Sequence, residues 1–218
     1  MPAISTTTPF SIDSDAIIED TPIQIVTKFQ SRTSKIIHGP SSISVKVETT
    51  DYLIKTDRTV PKKLGLLMIG WGGNNGSTLT AALIANRKNL SWKTRRGEQR
   101  ANFYGSLVMA STIPLGYDES SKMDIGVSLF EAAPFVHPSD IVVGGWDISR
   151  VNLADALDRA RVLEPDLISQ VRDEMSLMAP LPSIYVPSYI ASNQAKRADN
   201  VLRGTLKENL ETIRQNIR

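Results

Sequence analysis

Leu64-Gly65-Leu66-Leu67-Met68-Ile69 is a short continuous apolar run that passes directly into Gly70-Trp71-Gly72-Gly73-Asn74-Asn75-Gly76-Ser77. Such a run suits a strand covered on both faces. The segment that follows, Thr78 to Asn86, has helical character. Strand, glycine turn and helix in that order open a doubly wound α/β domain. The run Ile141-Val142-Val143-Gly144-Gly145-Trp146-Asp147 repeats the grammar of a buried strand ending at small residues and a carboxylate, which predicts a second strand of the same sheet.

Glycines 70, 72, 73 and 76 let the backbone bring amide N–H groups close to a ligand with no Cβ in the way. At a helix N-terminus those amides and the helix dipole attract phosphate oxygens, and the diphosphate of a dinucleotide is the natural occupant. The pattern departs from G-x-G-x-x-G, because Asn75 stands at the sixth position and the third glycine comes one residue later, at Gly76. A P-loop fits worse, since Ser77 follows Gly76 with no lysine between them. Read alone, the motif also suits a tight strand-to-helix connection that holds no ligand. The acidic partner expected about 20 residues onward is Glu98 by spacing, yet Glu98 lies beside Arg95 and Arg96 in a polar stretch. Asp147, at the end of its strand, is better placed to accept hydrogen bonds from a ribose, and a local cap for the next helix accounts for it equally well.

Three regions are expected. Residues 1–40, rich in Ser, Thr and Pro, form a mobile start and irregular surface chain; residues 41–60 form a short β region; residues 61–218 form the α/β domain. The β region rests on Ile43, Val45 and Val47 alternating with Ser44, Lys46 and Glu48. Residues 87–100 are basic and form an exposed connection. Leu153, Leu157, Ala160 and Leu163 recur at helical spacing, with Asn152 and Asp155 resembling a capping box. Leu206, Leu210, Ile213 and Ile217 mark a last helix, and no stop signal precedes Arg218. A crossover helix should deliver its chain to another strand, so the α/β domain is expected to be incomplete at its C-terminal side.

A formal charge of only +2 provides no concentrated positive stripe for nucleic acid, and points to a small-molecule partner. The absence of cysteine removes disulfides, thiolate zinc sites and a thiol nucleophile. There is no basic and apolar leader and no apolar run near the roughly 20 residues of a membrane span, so a cytoplasmic protein is expected. His38 and His137 are isolated from carboxylates in sequence and are expected to serve neither metal nor general-base chemistry; Trp71 and Trp146 are expected to pack.

Four segments in this order, LGLLMIGWGGNNGSTLT (Leu64 to Thr80), GGWDIS (Gly144 to Ser149), NLADA (Asn152 to Ala156) and PLPSIYVP (Pro180 to Pro187), resemble the myo-inositol-1-phosphate synthase family, also called inositol-3-phosphate synthases. The similarity runs from about residue 45 onward. The resemblance implies a partial Rossmann-like NAD-binding domain and an NAD-dependent isomerisation of glucose 6-phosphate to inositol 3-phosphate, in inositol and phospholipid biosynthesis. In the family a hydroxyl is oxidised, the ketone permits enolisation and aldol closure, and the hydride returns, with no net redox. Position by position, Gly72, Gly73, Asn74 and Asn75 match the diphosphate turn and Asp147 the adenosine-ribose contact. Ser183 and Ile184 match a segment lining the cofactor, and Gln194 and Arg197 a further contact. Without the resemblance, Ser183 and Ile184 read as a packed loop, and Gln194 and Arg197 as a solvated helix start. The resemblance also implies a homotetramer, and catalytic lysines in a region of the family not represented here, so no catalytic residue and no metal ligand is assigned in this chain. A non-catalytic NAD-binding or regulatory module is the competing reading, and a simple NAD-dependent dehydrogenase is disfavoured by the missing fingerprint.

Overall fold

The computed structural model describes residues 4–5, 10–59, 61–189 and 191–218. The mobile start expected within residues 1–40 falls in part on residues 1–3 and 6–9, outside the described residues. In chain order the first elements are β1 (Ile4–Ser5), β2 (Ile17–Asp20), β3 (Gln24–His38), β4 (Ile43–Asp57), β5 (Leu64–Ile69), α1 (Asn74–Arg87), β6 (Ser91–Thr94) and β7 (Gly97–Arg100). They are followed by α2 (Leu107–Ala110), β8 (Thr112–Asp118), β9 (Met123–Ser128), α3 (Leu129–Ala132), β10 (Ile141–Asp147), α4 (Leu153–Ala160), α5 (Pro165–Ser176), β11 (Leu181–Pro182) and α6 (Leu206–Ile217). Two compact units result: Met1–Pro61 with Ser106–Phe135, and Lys62–Gly105 with Val136–Arg218. Among the described residues no helix is long and apolar enough to cross a membrane.

The first unit is built on antiparallel pairs. β3 and β4 form a ribbon in register from Gln24 opposite Asp57 to His38 opposite Ile43, closed where the Gly39 amide donates to the Ser42 carbonyl at 2.8 Å. This corrects the expectation of irregular chain up to residue 40. Both faces of the ribbon are largely exposed, so polar and apolar residues mix on each and β3 carries no period-two signature. β8 and β9 make a second antiparallel pair that β1 extends in parallel. Residues 106–135 therefore cluster with the N-terminal segment, although they were expected within the α/β domain.

The second unit carries the parallel sheet, in the order β11-β10-β5. Ile141 pairs with Leu64 and Trp146 with Ile69, so β5 and β10 end together and their following turns emerge at one sheet edge. Gly145 is required for that approach: a Cβ there would lie 2.0 Å from the Met68 carbonyl oxygen. α1, α4 and α5 supply the core through Ala81, Ile84, Leu153, Leu157, Leu167, Val171 and Met175, joined by Trp71 from the turn before α1, with Met68 and Val143 packed against it from the sheet. Trp71 and Trp146 are buried packing residues, as expected, with Nε1 donating to Thr80 Oγ1 and to Asn216 Oδ1.

Residues 91–100, expected as an exposed connection, are largely exposed and form the hairpin β6–β7, whose Lys93 amide donates to the Asp166 carboxylate at 2.8 Å. The Asn152 side chain caps α4 by accepting from the Asp155 amide; Asp155 answers the Asn152 side-chain amide, where a full box would engage the backbone. α6 forms over the predicted residues, but Leu206, Leu210 and Ile217 of its apolar stripe stay exposed. His137 accepts from the Ser139 amide at the start of a short 3₁₀ turn and stacks edge-on to Phe103.

Candidate cofactor-binding site

The glycine turn is held by its own backbone. Gly70 takes φ +81°, which lets the Gly70 and Trp71 amides both donate to the Trp146 carbonyl at 2.8 and 3.0 Å, while the Gly73 amide returns to the Gly70 carbonyl at 2.9 Å. α1 begins four residues earlier than its apolar pattern indicates, so Asn74 and Asn75 form its first turn. Gly73 is the N-cap and offers no side-chain cap. The leading amides of a helix have no intrahelical acceptor, and here they open on a cavity of about 400 Å³. Its lining is Met68, Ile69, Gly70, Gly73, Asn74, Asn75, Gly76 and Leu79. At Gly73 a Cβ would sit 3.0 Å from the Gly70 carbonyl oxygen, and at Gly76 only 2.2 Å from that of Trp71. Glycine at these two positions therefore lets the backbone of the turn close on itself ahead of α1.

A second group of the expected residues meets at the ends of β10 and β11. Asp147 is 3% exposed; its Oδ1 accepts from the Ser149 amide and from Arg197 Nη2, each at 3.0 Å. Arg197 Nη1 donates to Gln194 Oε1 at 3.1 Å, both residues lying on the 3₁₀ turn Ser192–Arg197. Ser183 is buried, its amide donating to the Asn200 carbonyl, and Ile184 follows it half-buried without joining the carboxylate network. The Asn200 side chain donates to the carbonyls of Asp147 and Pro180 and ties these strand ends together. Gly72 joins the two groups: a Cβ on it would stand 3.3 Å from Asp147 Cγ and Oδ2.

Two charges complete the arrangement. Arg159, in the last turn of α4, donates from Nη2 to the Gly72 carbonyl at 2.6 Å. Burial and the nearby Arg197 guanidinium lower the Arg159 pKa from its usual value, and Asp147 opposes them. Two guanidinium groups thus flank one carboxylate, leaving an excess of positive charge behind the turn. Arg159, Ser149 and Asn200 were not singled out by sequence. Arg159 and Asn200 meet partners 87 and 53 residues away, a separation no local pattern encodes.

A parallel sheet whose first strand runs through a bare glycine turn into an uncapped helix, with a buried carboxylate ending the neighbouring strand, defines a dinucleotide-binding α/β protein. Residues 64–218 match the NAD-binding domain model described as myo-inositol-1-phosphate synthase. The chain belongs to the myo-inositol-1-phosphate synthase family, and NAD is the dinucleotide that the family domain binds. It is 44% identical over 211 residues to inositol-3-phosphate synthase 1 of Bos taurus, covering 97% of this chain and 37% of that protein. It is 49% identical over 195 residues to inositol-3-phosphate synthase of Drosophila melanogaster, covering 89% of this chain and 34% of that protein. The crystal structure of inositol-3-phosphate synthase from Caenorhabditis elegans superposes with a TM-score of 0.81 at 39% identity, over 97% of this chain and 41% of that one. The chain therefore spans little more than a third of the length of these relatives.

Proposed function

We propose that this chain holds NAD for an inositol-3-phosphate synthase, with the NAD diphosphate on the amides leading α1 and the adenosine ribose on Asp147. The observation that carries the reading is the uncapped N-terminus of α1, opening through Gly73, Asn74 and Asn75 on the cavity. Helix dipole and unpaired N–H groups there match the negative diphosphate in sign and in hydrogen-bonding demand.

Asp147 serves the ribose through Oδ2, which faces Gly72 and receives no hydrogen bond among the described residues, while Oδ1 stays with Ser149 and Arg197. Gln194 steadies Arg197, and Ser183 and Ile184 form the wall on the β11 side. Bound there, NAD supplies a hydride acceptor that later returns its hydride, so glucose 6-phosphate becomes inositol 3-phosphate without net oxidation. The reaction, its phosphorylated substrate, a homotetrameric assembly and a cytoplasmic setting come to this chain from its family and belong to the same proposal. No lysine of the chain is given a catalytic role, and the catalytic groups are assigned to the part of the family that the chain does not match.

Titration with NAD tests the cofactor site. Asp147→Asn keeps the shape and loses the charge, and is expected to weaken NAD binding roughly tenfold, the loss of one charged hydrogen bond. Unchanged affinity removes Asp147 from the site. Incubation of the 218-residue chain with NAD and glucose 6-phosphate is expected to yield no inositol phosphate, and measurable turnover would overturn the division of labour.

A further inference from the structure

We propose that Arg159 is a positioning residue for the cofactor: by holding the Gly72 carbonyl it fixes the Gly72–Gly73 peptide, and with it the turn that presents the leading amides of α1 to the diphosphate. This role rests on the NAD reading of the glycine turn.

The geometry fixes one peptide plane from both ends. The Gly72 carbonyl and the Gly73 amide belong to the same trans peptide and point in opposite directions. The amide end is taken by the Gly70 carbonyl at 2.9 Å, and the carbonyl end by Arg159 Nη2 at 2.6 Å. Flanking glycines have no Cβ to resist a peptide flip, so tertiary bonds must supply the restraint. A flipped plane would turn the Gly72 carbonyl toward the Gly70 carbonyl, oxygen against oxygen, and withdraw the Gly73 amide from Gly70, which would loosen the turn that leads into α1. Arg159 is suited to this work because α4 is anchored: Leu153, Ala154, Ala156 and Leu157 are buried in the core and Asn152 caps the helix. Its guanidinium, partly enclosed and beside Arg197 and Asp147, also leaves positive charge behind the turn, outside the lining of the cavity.

The test uses the full chain with NAD and with ADP-ribose, which carries the same diphosphate without nicotinamide. Arg159→Ala is expected to weaken both about tenfold or more, the loss of a hydrogen bond from a charged donor. Arg159→Lys, which restores the charge and one donor, is expected to recover most of that loss. Amide hydrogen exchange over residues 70–76 is expected to quicken in the alanine variant while exchange within α5 stays as it was. Should the alanine variant fail to fold, Arg159→Met, which keeps the aliphatic stem and removes every donor, is read in its place with Arg159→Lys. A folded variant lacking the charge that binds NAD within about twofold of the parent overturns the role, as does weakened binding with unaltered exchange at the turn. If the parent chain binds neither NAD nor ADP-ribose, the cofactor reading fails first and takes this role with it; if the parent binds and the variants do not differ, only the role of Arg159 falls.

Discussion

Gly76 shows at residue scale why the turn is written as it is. A Cβ there would stand 2.2 Å from the Trp71 carbonyl oxygen and 2.8 Å from Trp71 C and Cα, all backbone atoms that cannot swing aside. Gly76→Ala is expected to cost about 2–3 kcal/mol in denaturant unfolding, the upper range for forcing extra volume into a packed site. Gly65→Ala, with nothing within 4 Å of the added Cβ, is the control and should shift stability by less than about 0.5 kcal/mol. Equal effects would contradict the close-approach account. Glycine requirements are local, which is why the turn was legible from residues 70–76 alone. Asp147 was legible too, because a carboxylate closing an apolar run marks a strand end; its enclosure by Arg197 was not. That ion pair joins residues 50 apart and depends on the 3₁₀ turn Ser192–Arg197, for which the sequence offers only a polar stretch between prolines and α6.

Among the elements, the β8–β9 hairpin and the start of α6 are organised by local hydrogen bonds that titration and substitution can reach. Hydrogen bonds from Ser121 and Ser120 to the Asp118 carboxylate lower its pKa from 3.8 to about 2. A carboxylate whose folded pKa lies below its unfolded value stabilises the fold above the unfolded pKa and loses that contribution on acidification. The hairpin should therefore keep the full effect above pH 3.8 and lose it as pH falls through about 2. NMR titration of the Asp118 carboxyl checks this, and an ordinary value near 3.8 would contradict it. At α6, Thr205 and Glu208 form a reciprocal capping box, and those bonds lower the Glu208 pKa. Thr205→Ala should cost about 1 kcal/mol in thermal or denaturant unfolding, and no change would mean that the cap holds nothing. The helices α1, α4 and α6 were readable because their apolar periodicity or caps lie within one or two turns. The β3 strand was not, since its apolar and polar residues mix on both exposed faces and do not alternate as Ile43 to Glu48 of β4 do, and the cue lay in the turn residues His38-Gly39-Pro40-Ser41-Ser42.

For the molecule as a whole, parallel pairing of β5 with β10, helices packed as one layer and a glycine turn at the shared strand ends make a dinucleotide site the arrangement to test. The α/β class was legible because strand, turn and helix follow one another within 24 residues, from Leu64 to Arg87. The grouping of residues 106–135 with the N-terminal segment was not, because it depends on the pairing of β1 with β9 across more than a hundred residues. Binding linkage supplies a global readout: NAD at about 100 times its Kd should stabilise the chain by roughly 2.7 kcal/mol if it binds the folded state alone. The most direct measurement is a crystal structure of the chain with NAD. Diphosphate oxygens within hydrogen-bonding distance of the Asn74 and Asn75 amides, and the adenosine ribose against Asp147, are the expected result. NAD bound away from the turn, or a turn closed over by its own side chains with NAD present, would contradict the account.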